Sequence, residues 1–164
     1  MSRTLVLGGS RSGKSAFAES LLADAPAVAY LATAATNPDD AEWTARIAAH
    51  QARRPPHWTT LETTDVAAEL RRDGAPVLID SITLWVSAAL DEPDLERRAD
   101  DLVKAWTATT RRVVAVSDEV GSGVVPASDA GRRFRDALGL LNQRLAAAAD
   151  GVHLVVAGLP LRLK

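Results

Sequence analysis

The sequence predicts an α/β fold in which a mostly parallel sheet is covered by helices on both faces. Three observations carry that expectation. Strand-like and helix-like segments alternate along the chain, the strand-like runs are continuously apolar, and the first of them passes through a glycine-rich turn straight into a helix. A length of 164 residues suits one domain, taken as residues 1–164. With 47% hydrophobic, 24% charged and only 4% aromatic residues, the core falls to Ala, Val and Leu, and disorder is excluded.

In chain order, strands are expected at Thr4–Leu7, Val28–Ala32, Val77–Ile79, Val113–Val116 and Val152–Ala157. Helical spacing marks Lys14–Ala23, Ala41–Gln51, Val66–Arg72, Leu95–Thr110 and Asp129–Ala149. The last of these is the clearest, because Phe134, Leu138, Leu141 and Leu145 make one apolar line, with Arg132, Asp136 and Gln143 off it. Breakers fall between the elements, at Pro38, Pro55-Pro56, Gly74 with Pro76, Pro93 and Gly121 to Pro126. None is long enough to be a domain linker.

Nineteen Lys and Arg against 21 Asp and Glu leave a net charge of −2, so no global field exists to hold a nucleic acid, and any phosphate must be bound locally. The absence of Cys excludes disulfides, thiolate nucleophiles and Cys-ligated zinc, and His50, His57 and His153 lack a metal-box spacing. The N-terminal apolar run is too short for a signal peptide or a spanning helix, so a cytoplasmic location is expected.

The most specific motif is Gly8-Gly9-Ser10-Arg11-Ser12-Gly13-Lys14-Ser15, which matches G-x-x-x-x-G-K-[ST] between a strand and a helix and predicts a P-loop NTPase type of fold. Gly8, Gly9 and Gly13 let successive N–H groups turn inward at the positive end of the helix. Lys14 adds a point charge for the terminal phosphates, and the Ser15 hydroxyl suits Mg²⁺. Asp80 ends the apolar run Val77–Ile79 and is the candidate acidic partner for that metal, although Asp also favours the N-cap of a helix starting near Ile82. On the Ala41–Gln51 helix, Trp43, Arg46, Ile47 and His50 share one face, with Arg53 and Arg54 just beyond. Guanidinium groups would neutralise a polyphosphate, and a neutral imidazole in line with phosphorus is a competent nucleophile. Taken alone, His50 also reads as a helix-end surface residue. His57 reads as a loop residue, His153 as packed or at an edge, and Trp85 and Trp106 as core or interface.

The chain as a whole resembles the bifunctional adenosylcobinamide kinase / adenosylcobinamide-phosphate guanylyltransferase family. The similarity is carried by residues 8–15, Tyr30 to Ala34, Arg46-Ile47 with His50, Arg54-Pro55, Trp58 and Glu62, the Asp80–Trp85 strand end, Glu119–Pro126, and Arg133–Asp150, in order from end to end. The resemblance implies a RecA-like P-loop fold and a two-step task. Adenosylcobinamide is phosphorylated with ATP or GTP, and GMP from GTP is then transferred through a GMP–histidine intermediate to give adenosylcobinamide-GDP. By position it implies His50 as the nucleophile and residues 8–15 as the triphosphate cradle. Thr33, Ala34, Ala35, Gln51, Ala52, Arg53 and Arg54 would line the GTP site, completed by Glu62 and Asp80. Mg²⁺ on Ser15 and Asp80, and a homo-oligomer, a trimer, are implied with them; Trp85 and Trp106 are candidate subunit contacts.

Three departures accompany the resemblance: Asp118 stands where the family usually has Asn, Ser81 where Cys is common, and the Asp91–Arg111 region is short. Two other readings fit part of the motif set. One is a kinase without a covalent intermediate, in which His50 is incidental, and the other is a nucleotide-gated binding module.

Overall fold

The computed structural model describes residues 2–33 and 55–164. A seven-stranded sheet runs in the order β3-β2-β4-β5-β1-β6-β7. Its strands are β1 (Arg3–Gly8), β2 (Val28–Ala32), β3 (Trp58–Glu62), β4 (Val77–Asp80), β5 (Val113–Asp118), β6 (Gly151–Val156) and β7 (Leu159–Arg162). Strands β1 to β6 are parallel, and β7 returns antiparallel on β6. The helices are α1 (Lys14–Ser20), α2 (Val66–Leu70), α3 (Ile82–Ala89), α4 (Leu95–Ala108) and α5 (Asp129–Ala148).

Alternate residues of the apolar strands feed two cores, which is why these runs show no polar face. On one side Val6, Leu78, Val114, Val116 and Val155 pack with Ala18 and Leu22 of the α1 region. On the other, Leu5, Ile79, Val113, Ala115 and Val152 meet α2 to α5. Helix α5 presents Leu138, Leu141 and Leu145 to this second core, as its spacing predicts, each burial stabilising by roughly 1.5–3 kcal/mol. Trp85 and Trp106 are buried inside the chain's own core, so neither is available as the subunit contact expected of it.

Five expected strands are present, Val28–Ala32 with the same bounds and the other four with ends shifted by one or two residues, whereas β3 and β7 are additions. Helix α1 stops at Ser20 rather than Ala23, where Leu21 begins a run of turns, and α4 stops at Ala108. The expected Ala41–Gln51 helix, with Trp43, Arg46, Ile47 and His50, lies outside the described residues. Among the described residues no helix is long and apolar enough to cross a membrane.

Candidate active site

The strand register brings the candidate residues to one edge of the sheet. Gly8 of β1 pairs with Asp118 of β5 on one side and Val155 of β6 on the other. Ala32 of β2 pairs with both Asp80 of β4 and Glu62 of β3. All these positions are carboxyl ends of parallel strands, where open α/β sheets bind ligands. Asp80 is two strands from β1, roughly 10 Å across the sheet at the usual inter-strand spacing.

Between β1 and α1 the chain forms a closed loop. Gly13 is the N-cap of α1 with φ +92°, a left-handed conformation that favours glycine, and Arg11 also has positive φ, 54°. Ser12 N–H donates to the Gly9 carbonyl at 3.3 Å, and Lys14 Nζ donates to the same oxygen at 3.1 Å. At Gly8 a Cβ would lie 2.4 Å from Ser12 Oγ and 2.7 Å from the Val155 carbonyl, so no side chain fits. A second turn supports the loop from outside. The two-residue connection Ala157-Gly158 between β6 and β7 has positive φ at both positions, and Gly158 N–H donates to the Ser12 carbonyl at 2.8 Å.

Lys14 is 9% exposed and its ammonium lies 2.6 Å from Asp118 Oδ1. Asp80 receives the Tyr30 hydroxyl on Oδ2 at 2.5 Å. It does not cap α3: Ser81 does, its hydroxyl accepting from Leu84 N–H at 3.3 Å, so the alternative role for Asp80 is removed. Thr33 is fully buried, its hydroxyl donating to the Ser81 carbonyl at 2.6 Å and accepting from Ser81 N–H at 3.0 Å. That pair ties the end of β2 to the turn after Asp80. Glu62 is exposed at the end of the edge strand β3, and Ser15 is half-buried in the first turn of α1. The Ser15 hydroxyl and the Asp80 carboxylate are oxygen donors of the kind Mg²⁺ takes.

His50, Ala34, Ala35, Gln51, Ala52, Arg53 and Arg54 lie outside the described residues. His57 is exposed in the turn before β3. His153 packs edge-on against Phe17 of α1, ring centroids 5.1 Å apart, and burial followed by the nearby Arg162 charge holds its pKa below the usual histidine value. It is a packed residue, away from the loop. A cavity of about 410 Å³ lies off the phosphate loop, beside Thr64, Trp85, Arg97 and Arg98. Its two guanidinium groups are paired with Asp94 and Glu92. Three site residues were not assigned a role from sequence: Tyr30, Gly158 and the Lys14 partner Asp118. The available signal was Asp118 closing an apolar strand run, as Asp80 does.

The sheet order and the strand–loop–helix define the chain as a P-loop nucleotide-binding protein of RecA-like architecture. A prototypical ATPase from the type III secretion system of pathogenic bacteria has a similar fold, with a TM-score of 0.59 at 13% identity over 98% of this chain and 57% of that one. The chain belongs to the cobinamide kinase / cobinamide phosphate guanyltransferase family, whose model matches residues 4–163. It is 44% identical to the bifunctional adenosylcobalamin biosynthesis protein CobP of Pseudomonas aeruginosa, over 99% of this chain and 97% of the relative. Identity to the bifunctional adenosylcobalamin biosynthesis protein CobU of Salmonella typhimurium is 42%, over 98% of each. Membership makes the chain an enzyme with kinase and guanylyltransferase activities.

Proposed function

We propose that residues 1–164 form one cytoplasmic domain of cobalamin biosynthesis that carries both reactions on a shared nucleotide site. The observation that carries this reading is the Lys14 ammonium inside the closed loop Gly8–Ser15, at the same sheet edge as Asp80 and Glu62. In the first reaction the aminopropanol hydroxyl of adenosylcobinamide takes the γ-phosphoryl group of ATP or GTP. In the second, a nitrogen of His50 attacks the α-phosphorus of GTP, pyrophosphate leaves, and adenosylcobinamide phosphate then displaces the imidazole to give adenosylcobinamide-GDP.

Phosphoryl transfer of either kind depends on positioning and charge neutralisation. Backbone N–H groups of residues 8–15 and Lys14 hold the triphosphate; Arg53 and Arg54 add charge. Ala34, Ala35, Gln51, Ala52 and Glu62 line the remainder of the GTP site, and Thr33, buried against Ser81, holds the end of β2 in place beside it. Ser15 and Asp80 would hold Mg²⁺, which when bound supplies further neutralisation of the phosphates. The Tyr30 hydroxyl orients Asp80 by occupying one oxygen. Dividing the transfer into two displacements lets one site take GTP and the corrinoid phosphate in turn.

We propose a homotrimer as the assembly. Leu159 and Leu161 on β7, and Leu163 just beyond its end, follow one another at alternate positions and are more than half exposed, a pattern that suits burial against another copy.

Product analysis by mass spectrometry tests the two-step reading. The wild-type chain should convert adenosylcobinamide to its phosphate with ATP or GTP, and to the GDP derivative when GTP is present. His50→Ala should stop at the phosphate, and Lys14→Ala should slow both steps by about 10²-fold or more. A His50→Ala protein that still makes the GDP derivative at the wild-type rate would contradict the intermediate.

A further inference from the structure

Asp118 is fixed in place through its backbone, while the lysine it pairs with reaches it at the end of a long side chain. Its N–H donates to Thr83 Oγ1 at 2.8 Å, its carbonyl accepts from Asn142 Nδ2 at 3.0 Å, and the following N–H, of Glu119, donates to the Gly8 carbonyl at 3.2 Å. Side chains from α3 and α5 and the backbone of β1 thus hold the end of β5 from three directions. Lys14, on a four-carbon stem, reaches Asp118 Oδ1 at 2.6 Å. The two side chains are 11% and 29% exposed, so solvent screens the pair less than a surface one. A pair of this kind separates by movement of the lysine.

We propose that Asp118 is an internal counter-ion that competes with polyphosphate for Lys14 and so sets how tightly the loop holds its ligand. The inference rests on the reading that residues 8–15 hold the triphosphate. Within the loop the ammonium donates to the Gly9 carbonyl at 3.1 Å, and the Asp118 carboxylate neutralises it. Entry of a polyphosphate transfers Nζ from carboxylate oxygen to phosphate oxygen. The carboxylate stays behind, so binding costs the ion pair and leaves a negative group beside the phosphates. When pyrophosphate departs, Nζ returns to Asp118, which favours release. No bond is made or broken in this exchange; only the partner of one ammonium changes.

Titration calorimetry with pyrophosphate, on the full chain, tests the exchange. Asp118→Asn keeps the backbone anchors and nearly the same shape while removing the charge, and should bind pyrophosphate about tenfold tighter than wild type. Asp118→Ser should also bind more tightly, which keeps the test independent of how well one variant folds. Lys14→Ala should weaken binding, and adding Asp118→Asn to it should recover clearly less than the tenfold gain seen with Lys14 present, because only the residual repulsion, and no longer the ion pair, is relieved. Unchanged or weaker binding by both Asp118 variants overturns the proposal. So does a tenfold gain that persists without Lys14, since simple repulsion by the carboxylate would then be the whole effect. If wild type and Lys14→Ala bind pyrophosphate equally, the phosphate-loop reading itself fails, and the counter-ion role falls with it.

Discussion

Gly8 shows how a single position constrains the site. A methyl group there would press against the Val155 carbonyl at 2.7 Å, and a backbone oxygen in a paired strand cannot swing aside as a side chain can. Gly8→Ala should therefore destabilise the chain by about 1–3 kcal/mol in urea unfolding and weaken nucleotide binding by deforming the loop. A second residue-scale contact closes the amino end of the same strand. Asp150 accepts from both the guanidinium and the backbone N–H of Arg3, and the Arg3 side-chain hydrogen bond, then the backbone one, holds its pKa down to about 2 against an ordinary 3.8. Because the folded value is the lower one, the folded chain releases the proton more readily. The contribution is complete above the ordinary value and is lost as pH falls through the folded one. Asp150→Asn should lower the urea midpoint at neutral pH, and the difference from wild type should shrink below pH 3.8 and vanish only below about pH 2.

At the scale of elements, Arg111 joins the sheet to α2. The buried guanidinium donates to the carbonyls of Ala75 at 2.6 Å and Glu69 at 3.0 Å, oxygens at the helix end and in the connection to β4. Removing it takes the side-chain donor from these part-buried carbonyls and leaves space where the buried guanidinium packed, so Arg111→Ala should cost about 1–3 kcal/mol in the same unfolding measurement. The elements most legible in the sequence are those with one dominant cause. Helix α5 follows from its leucine line, and the inner strands from their apolar runs. The two edge strands have weaker causes. In β3, Thr59 and Thr60 face outward beside Trp58, so no continuous apolar run exists. In β7, Pro160 argues against a strand until the strand lies at an edge, where a missing N–H costs little. Helix α3 takes its start from the Ser81 hydroxyl rather than from Asp80, a choice between neighbouring caps that spacing alone leaves open.

For the whole molecule, the phosphate loop was legible because its chemistry lies in eight consecutive residues. The contacts that tune it were not, because they depend on strand order. Lys14 meets Asp118 only because β5 inserts beside β1, and Tyr30 meets Asp80 only because β2 lies next to β4. The Gly158 support depends likewise on the chain returning at β7. Assembly belongs to this scale as well. For the proposed trimer, with the exposed leucine edge as the subunit contact, wild type should sediment as a trimer and Leu161→Asp as a monomer with an unchanged far-ultraviolet spectrum. Trapping the covalent intermediate shows whether the loop serves guanylyl transfer at His50. The chain is incubated with Mg²⁺ and GTP labelled at either the α- or the γ-phosphorus, then denatured, with His50→Ala in parallel. Only the α label should stay attached, acid should release it, and His50→Ala should carry none. A chain that binds GTP yet retains neither label, or retains the α label equally in His50→Ala, would contradict guanylyl transfer at His50.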